Sequence, residues 1–402
     1  MMNGLRGNKA ALILSGLILV SLLLLPELNF RKGFASFQVI DLLMPLLLIF
    51  VYLRRKLITW RPFFSILILF ALLMLTSIFM NGRMAVTRDY FEFYKLLKFS
   101  VVFLIFSFVA LPDFIKYVAK PVFVLLAIVN LFHYFNLFDI NTLIHAHYNG
   151  GIHIEFFGLN SLGEPGTRRM SGLSGNPNIN SIVFGFFAIL FIPQRGGKPR
   201  TYLWLIAAVF LMFLCQSRTN LIAFVVMTVL TFAIAKRTFN FNAKNIVLSV
   251  LAGFLIAMLL LQNDYLNSLF TQDLTKNTSL LGRFEVWKHL VEMIIQKPFF
   301  GHGPFKEYFY QNKMYSESEY IMQTWRYGFF GLLVFLGVLL YPAVRTIGKL
   351  SVKNNLILFQ FTILMAVNSL TNNPFSDRLL MVLFAIAIGL SFGLKQIAQD
   401  EK

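Results

Sequence analysis

The sequence has few charged side chains and a single cysteine. Charged residues make up 13% of the 402 positions, about half the share of a typical soluble domain, which excludes an ordinary cytosolic enzyme. The lone Cys215 excludes a disulfide scaffold. Aromatic residues are abundant at 16%, which excludes intrinsic disorder.

Several kinds of catalytic motif are also missing. There is no Walker A loop ending in Gly-Lys-Ser/Thr, no Gly-x-Ser-x-Gly elbow and no Ser-His-Asp order. His145, His147 and His153 lie near one another, but without a carboxylate or cysteine at metal-ligand spacing. We therefore expect no metal site.

Basic residues outnumber acidic ones, with 36 Lys and Arg against 18 Asp and Glu. Such an excess is typical of nucleic-acid-binding proteins. Here the cations lie between long apolar runs, and Lys and Arg are enriched in the cytoplasmic loops of membrane proteins. We therefore expect a lipid bilayer as the partner and no nucleic acid.

Apolar segments of membrane-spanning length dominate the chain. A helix that crosses the bilayer needs about 20 mostly apolar residues. The sequence therefore predicts an all-α polytopic integral membrane protein, with 1–402 as a single membrane domain. It has about twelve candidate transmembrane helices, at 10–26, 36–53, 62–80, 97–112, 118–138, 179–194, 201–216, 219–235, 245–262, 324–343, 354–371 and 378–394.

The first span has the basic start of a signal peptide, but no small-residue cleavage site follows it, so we expect a retained helix. With the N-terminus inside, only Asp113, Asp400 and Glu401 among the acids fall on the inner side. This favours cytoplasmic N- and C-termini. The long segments 139–178 and 263–323 are then extracytoplasmic loops, and connections of such length are usually functional.

The first long loop ends in Arg168 and Arg169, followed by Met-Ser-Gly-Leu-Ser-Gly-Asn-Pro-Asn up to Asn178. Glycines permit close backbone approach to a ligand. Asn178 is a candidate cap for the following helix, whose N-terminus favours anions. The segment predicts a phosphate cradle; the alternative is a polar loop whose arginines reach lipid headgroups.

Arg218 lies in a tight polar turn, 216–220, between two apolar segments. An ionisable residue at the membrane surface in such a turn is a candidate functional residue. The alternative is an arginine that extends to the headgroups from a helix end.

The second long loop contains a predicted amphipathic helix that starts near Arg283 and stops before Pro298. Its apolar positions recur at helical spacing, and we expect them to pack against the protein; they are Phe284, Trp287, Val291, Ile294 and Ile295. Arg283 itself is a candidate ligand-binding residue.

Glu317 and Glu319 lie where the second loop returns to the membrane. A buried carboxylate beside a cavity can act as a general base. Alternatively, both carboxylates pair with nearby cations at a helix start.

Four segments together resemble the O-antigen ligase/polymerase superfamily of bacterial envelope proteins, most closely its Wzy-type polysaccharide polymerases. They are Arg169–Asn178, Ser217–Thr219, Arg283–Gly303 and Ser318–Gly328. The resemblance implies a membrane-embedded, all-helical glycosyltransferase that needs neither a metal nor a cofactor. It also implies the bacterial inner (cytoplasmic) membrane, with an active site that faces the periplasm or the cell exterior.

Members of this superfamily transfer a glycan from an undecaprenyl-pyrophosphate carrier to an acceptor hydroxyl. In polymerases the acceptor is another lipid-linked repeat unit, and a copolymerase that regulates chain length is an implied partner. Arg169, Arg218 and Arg283 match family arginines thought to hold the pyrophosphate. We expect Arg168 and Asn178 to contribute to the same pyrophosphate site. Guanidinium groups suit this site because they bind phosphate in a bidentate manner.

The sequence departs from the family pattern at one place that helps to distinguish ligases from polymerases. Ligases usually carry a histidine where the second loop re-enters the membrane, whereas this chain has Ser-Glu-Ser-Glu at 316–319. The departure favours a polymerase over an O-antigen ligase, and it makes Glu319 or Glu317 the candidate for positioning or deprotonating the acceptor. A flippase, the non-enzymatic alternative, is disfavoured because such proteins usually carry mid-membrane charges and repeated halves.

Overall fold

A computed structural model describes most of the chain. The described residues are 9–27, 37–58, 62–82, 87–148, 169–193, 200–234, 278–305 and 316–393, with isolated positions 247–248, 250–252, 255, 308, 312 and 314. Within these residues the fold is helical and has no strands, as the composition predicts. The helices are α1 Lys9–Leu23, α2 Val39–Leu53, α3 Pro62–Met80, α4 Phe91–Ser107, α5 Leu111–Phe135, α6 Ile140–His147, α7 Pro177–Phe191, α8 Arg200–Leu214, α9 Arg218–Ile234, α10 Thr278–Gln296, α11 Glu319–Thr346, α12 Lys353–Asn368 and α13 Arg378–Ser391.

Eleven of the predicted spans coincide with helices, and the remaining one, 245–262, lies mostly outside the described residues. Among the described residues, three helices are long and apolar enough to cross a membrane by themselves: Pro62–Met80, Leu111–Phe135 and Glu319–Lys349, the last of which includes a short 3-10 turn. Several others are apolar but only 10–17 residues long. The described part of the chain is therefore all-helical and consistent with a membrane protein, while the number of spans and the side of each terminus stay predictions.

The helices are apolar on their outer as well as their inner faces. On α3, Phe63 and Leu67 are buried in the core, whereas Leu72 is half exposed and Phe79 is 88% exposed. A helix that is apolar all round belongs in a hydrophobic surrounding rather than in water. The exposed face of α3 is accordingly suited to contact with lipid tails.

Aromatic side chains fill the centre of the bundle. Phe103 on α4 packs edge-on against Phe63 of α3 and Phe392 beyond α13. Phe186 of α7 and Phe361 of α12 meet in the same way, with ring centroids 5.0 Å apart. Edge-to-face pairs of this kind add to the burial of apolar area, and they fix the lateral positions of the helices that carry the polar residues.

Polar contacts gather at one end of the bundle, which we call the site end. Hydrogen bonds there join the N-termini of α7, α9, α11 and α13 to the C-termini of α3, α8 and α12. The opposite end carries exposed cations, including Arg54, Arg55, Lys56 and Lys349.

A break in α11 frees backbone carbonyls that bind the segment after α10. Gly328 has φ 68° and ψ −169°, so the helical hydrogen bonds stop there. The released carbonyls of Trp325 and Arg326 accept from the backbone N–H groups of His302 (2.9 Å) and Gly303 (2.9 Å). The Ser77 hydroxyl of α3 lies 2.8 Å from the same Arg326 carbonyl.

We expect Gly328→Ala to destabilise the protein by about 2–3 kcal/mol, because a left-handed φ is strained for any residue with a side chain. The added Cβ would also lie 2.2 Å from the backbone of Phe299. Gly348→Ala is the matched control, since a Cβ there meets nothing within 4 Å. Thermal unfolding in detergent checks this, and equal midpoints for the two variants would contradict the role given to the break.

Candidate active site

The α12–α13 connection, residues 369–377, is the centre of the site end, and we call it the hub. Its sequence is Ser-Leu-Thr-Asn-Asn-Pro-Phe-Ser-Asp. It makes hydrogen bonds to three segments that are distant in sequence: the start of α11, the α8–α9 turn and the segment 169–178. The candidate residues are therefore best located by their relation to this hub.

Glu319 attaches the start of α11 to the hub. Its side chain is fully buried. Oε2 accepts from the backbone N–H groups of Phe375 (2.8 Å) and Ser376 (3.0 Å). Oε1 accepts from the Gln323 amide (2.7 Å) and the Ser376 hydroxyl (3.2 Å).

This environment gives Glu319 a structural task. Four donors surround its two oxygens, and its own backbone N–H donates to the carbonyls of Ser369 (2.9 Å) and Asn372 (3.1 Å). A carboxylate whose acceptor sites are filled in this way has little capacity left to take a proton from a substrate. The arrangement instead fixes the hub against α11.

Arg169 joins segment 169–178 to the rest of the site. Its Nη2 donates to Oδ1 of Asn178 (2.9 Å), and its Nε donates to the Cys215 carbonyl at the end of α8 (3.3 Å). The Asn178 side chain in turn lies 3.5 Å from Oδ1 of Asn372 in the hub. Arg169 and Asn178 are thus held beside the hub, while Arg168 lies outside the described residues.

The cap of α7 differs from the prediction. Asn176, rather than Asn178, is the N-cap: its side chain accepts from the N–H groups of Asn178 (2.9 Å) and Ile179 (3.4 Å). Pro177 occupies the first helical position, which it favours because it has no N–H to satisfy. The donors of the first turn are therefore already occupied, and phosphate binding here would depend on side chains rather than on the helix N-terminus.

The glycines of this segment also serve packing. Gly172 has φ +56°, and a Cβ on it would lie 2.0 Å from Oδ1 of Asn130 on α5. Asn130 accepts from the Asn180 amide (2.7 Å), and His133 shares a hydrogen bond with Ser171 (2.9 Å). Glycine at position 172 therefore allows the backbone to approach α5 closely. We expected it to allow a close approach to a ligand instead.

Arg218 is the first residue of α9 and is partly exposed. Its neighbours anchor the turn: the Thr219 hydroxyl accepts from Thr371 of the hub (3.1 Å), and the Asn220 amide donates to the Asn178 carbonyl (2.6 Å). Arg218 is thereby fixed between the hub and segment 169–178. Two of the three candidate arginines consequently border the same polar cluster.

Arg283, the third arginine, lies near the start of α10. Its Nε donates to Oε2 of Glu317, and the neighbouring Trp287 indole donates to the Ser316 carbonyl. The Ser318 hydroxyl then donates to the Ser369 carbonyl of the hub (3.4 Å). Arg283 and Glu317 therefore form an ion pair on the side of the hub where the second loop returns.

Glu317 differs from Glu319 in its exposure. About 41% of its side chain is accessible, against 24% for Arg283. Within the described part of the chain, only one of its oxygens has a hydrogen-bond partner. Of the two candidate carboxylates, Glu317 is the one that a substrate could reach.

The amphipathic helix is present as α10, but its buried face differs from the prediction. Leu290 and Ile294 are the buried positions, packed with Phe305, Met322 and Trp325. Among the predicted stripe, Phe284, Val291 and Ile295 are exposed by 45–71%. The expectation that the whole stripe packs against the protein is wrong for these three, because the contact with α11 follows a neighbouring row of side chains.

His302 belongs to the support of α10. Its Nε2–H donates to the Met293 carbonyl (2.8 Å), and its ring stacks on Trp325 with centroids 4.9 Å apart. Burial lowers the pKa of this imidazole, which keeps it neutral. Its ring contacts therefore assign it to packing.

Several buried polar atoms near the hub lack hydrogen-bond partners among the described residues. They are Ser217 Oγ and Asn220 Oδ1 beside Arg218, both polar atoms of the Asn373 side chain, and Gln323 Oε1. Buried polar groups are normally satisfied by protein, water or ligand. These atoms therefore have capacity for hydrogen bonds to water or to a polar ligand.

The hub is the part of the site that sequence reasoning missed. The signal was present as a short Asn-Asn-Pro connection between two apolar segments, which is a turn pattern. Without side chains of obvious chemistry it was indistinguishable from an ordinary loop. Its importance lies in its contacts, which only the fold reveals.

A comparison with protein-family models matches part of the chain. The family model described as O-Antigen ligase matches residues 202–339, about a third of the chain. The matched segment contains Arg218, Arg283, Glu317 and Glu319, but neither Arg169 nor the hub. No curated protein matches the chain.

Proposed function

We propose that this chain, whose residues 202–339 match the O-Antigen ligase family model, belongs to the O-antigen ligase/polymerase superfamily and is a polysaccharide polymerase. Membership implies ligase- or polymerase-type transfer of a glycan in a membrane. The specific activity is transfer of a growing glycan from undecaprenyl pyrophosphate to a hydroxyl of another lipid-linked repeat unit.

The observation that carries this proposal is the arrangement of three arginines around one hub. Arg169 and Arg218 border the hub through Asn178 and Thr219, and Arg283 reaches it through Glu317 and Ser318. A lipid-linked pyrophosphate carries several negative charges, and guanidinium groups bind phosphate oxygens as planar forks. This side of the site end is therefore suited to hold a pyrophosphate.

The reaction transfers the glycan by forming one bond and breaking another at the anomeric carbon of the donor. The acceptor hydroxyl oxygen forms a bond to the anomeric carbon of the donor, and the bond from that carbon to the pyrophosphate oxygen breaks with its electron pair. Undecaprenyl pyrophosphate leaves, and the arginines stabilise the charge that develops on it. The hydroxyl proton passes to a base and then to solvent.

Glu317 is our candidate for that base. Its carboxylate is accessible and lies against Arg283, which would bind the leaving group. Glu319, in contrast, is buried and surrounded by donors. We assign Glu319 to the support of the hub and Glu317 to the acceptor.

The choice of a polymerase over a ligase depends on the residues at 316–319. A ligase of the resembled family would present a histidine at this re-entry, and this chain presents two glutamates. Among the described residues, His302 is the histidine nearest in sequence, and its ring is occupied by Met293 and Trp325. We therefore place the polymerase first and the ligase second.

We also propose that the site end faces the periplasm or cell exterior. The opposite end carries Arg54, Arg55, Lys56 and further exposed cations, as cytoplasmic ends of membrane proteins do. The lipid-linked donor would then reach the arginines from the outer leaflet.

Deletion of the gene in its own organism tests the proposal. Loss of a polymerase leaves surface glycans that are one repeat unit long. Loss of a ligase leaves full-length polymer on the undecaprenyl carrier, and loss of a flippase leaves single repeats on the cytoplasmic side. Gel separation of the glycans, together with identification of their carrier, distinguishes the three.

We expect Glu317→Gln to lower the rate of chain growth by about 10²–10⁴, the usual contribution of a general base. Its stability should stay within about 0.5 kcal/mol of the parent, because the side chain is partly exposed. Glu292→Gln, on the exposed face of α10, is the control and should retain full activity. A fully active Glu317→Gln protein would remove the base from the proposal.

A further inference from the structure

A polar cavity lies at the site end, apart from the arginines. Its volume is about 340 Å³, which is within the usual size of small-molecule sites. It is bounded by the end of α1, the start of α2 and the first turns of α7 and α13. None of the arginines 169, 218 and 283 lines it.

The lining combines groups that suit a carbohydrate. Carboxylates and amides, which accept from and donate to hydroxyl groups, are contributed by Glu27, Gln38, Asn176 and Asp377. Apolar side chains such as Leu126 line the same space. Sugar rings present both hydroxyl groups and apolar C–H faces, so both kinds of wall have a counterpart.

The charge of this cavity does not suit a pyrophosphate. Glu27 and Asp377 are close enough to interact, and burial together with the Glu27 charge raises the pKa of Asp377. Arg378 is the cation in the lining. Two carboxylates facing one space would repel a phosphate, whereas they accept hydrogen bonds from neutral sugar hydroxyls.

The cavity is nevertheless connected to the arginine site. Asn176 lines the cavity, and Asn178, two residues later, faces Arg169 on the other side of the first turn of α7. The hub also adjoins the cavity. Ser376 lines the cavity, and its N–H and hydroxyl groups donate to Glu319. A lipid-linked sugar chain could therefore have its phosphates on one side and its sugars on the other.

We propose that this cavity binds the oligosaccharide part of a lipid-linked repeat unit, as a glycan subsite beside the arginine site. The inference rests on the proposed function, which supplies the class of ligand. It adds a location that recognises sugars independently of the pyrophosphate.

The test measures binding of two probes to the full-length protein in lipid nanodiscs. The first is one repeat-unit oligosaccharide, released from the surface polysaccharide of the source organism and carrying neither lipid nor phosphate. The second is inorganic pyrophosphate. Isothermal titration gives the affinity for each.

Leu25→Trp is the variant that fills the cavity, because Leu25 lines it and is 42% exposed. Leu17→Trp is the control matched in exposure: Leu17 is 43% exposed, lies within α1, which ends two residues before Leu25, and does not line the cavity. Glu27→Gln is nearly isosteric, so it provides a second test of the cavity if the tryptophan variant does not fold.

We expect Leu25→Trp to weaken oligosaccharide binding at least tenfold and Glu27→Gln to weaken it several-fold, with pyrophosphate binding unchanged in both. Leu17→Trp should bind both probes like the parent. Parental oligosaccharide affinity in both cavity variants, or full displacement of the oligosaccharide by pyrophosphate, would overturn the inference. If the parent binds the oligosaccharide in the cavity but forms no polymer, the polymerase proposal fails and the glycan subsite stands.

Discussion

Replacement of Arg218 by alanine is expected to stop chain growth while the protein still folds and inserts. The residue begins α9 at the turn that Thr371 and Asn178 hold in place. Loss of one preorganised donor to a developing negative charge typically costs about 10²–10³ in rate. Measurement of polymer formed per unit of purified protein checks the expectation.

Two further variants make the Arg218 result specific. Arg218→Lys keeps the charge but loses the planar fork, so its activity should lie between those of the parent and the alanine variant. Arg200→Ala removes an exposed arginine from the first turn of α8, at the opposite end of the bundle, and should remain fully active. Equal activities for Arg218→Ala and Arg200→Ala would contradict a role for Arg218 in the reaction.

Glu319→Gln is expected to destabilise the protein by about 3 kcal/mol, because a fully buried carboxylate that accepts four hydrogen bonds is lost. In either orientation of the new amide, its NH2 group would replace an acceptor: it would face the N–H groups of Phe375 and Ser376, or the Gln323 amide and the Ser376 hydroxyl. The hub would lose part of its attachment to α11 and would keep the backbone hydrogen bonds from Glu319 to Ser369 and Asn372. Any loss of activity should follow the loss of folded protein.

Cys215 provides an intrinsic probe for measuring the thermal unfolding of these variants. It is the single cysteine of the chain and is fully buried, so a thiol-reactive fluorogenic dye reports unfolding on heating. Glu317→Gln, two residues away, is the control and should unfold at the parental temperature. A parental midpoint for Glu319→Gln would show that the buried carboxylate does not support the hub.

The helices themselves were predictable because each requires only a run of apolar residues. The apolar segments 62–80 and 201–216 reappear almost unchanged as α3 and α8. Bounds shifted where polar residues extend a helix: α11 begins at Glu319, five residues before its predicted start, since the hub satisfies its first turn. The length of an apolar run alone does not predict such contacts at the end of a helix.

The details of the site were less predictable. Asn176 and Asn178 are the same residue type two positions apart, and the fixed φ of Pro177 decides that Asn176 is the cap. The sequence carries this signal, because proline favours the first position of a helix and the residue before it is then the cap. Glu317 and Glu319, in contrast, cannot be told apart by sequence, because burial and the donors of Phe375 and Ser376 distinguish them.

The central claim is that this membrane protein polymerises lipid-linked repeat units at a site formed by three arginines and the hub. The most direct measurement supplies purified protein in lipid with one undecaprenyl-pyrophosphate-linked repeat unit and no other acceptor, and separates the products by length. We predict a ladder of whole-number multiples from the parent and a single unextended band from Arg218→Ala. A single unextended band from the folded parent would contradict the claim.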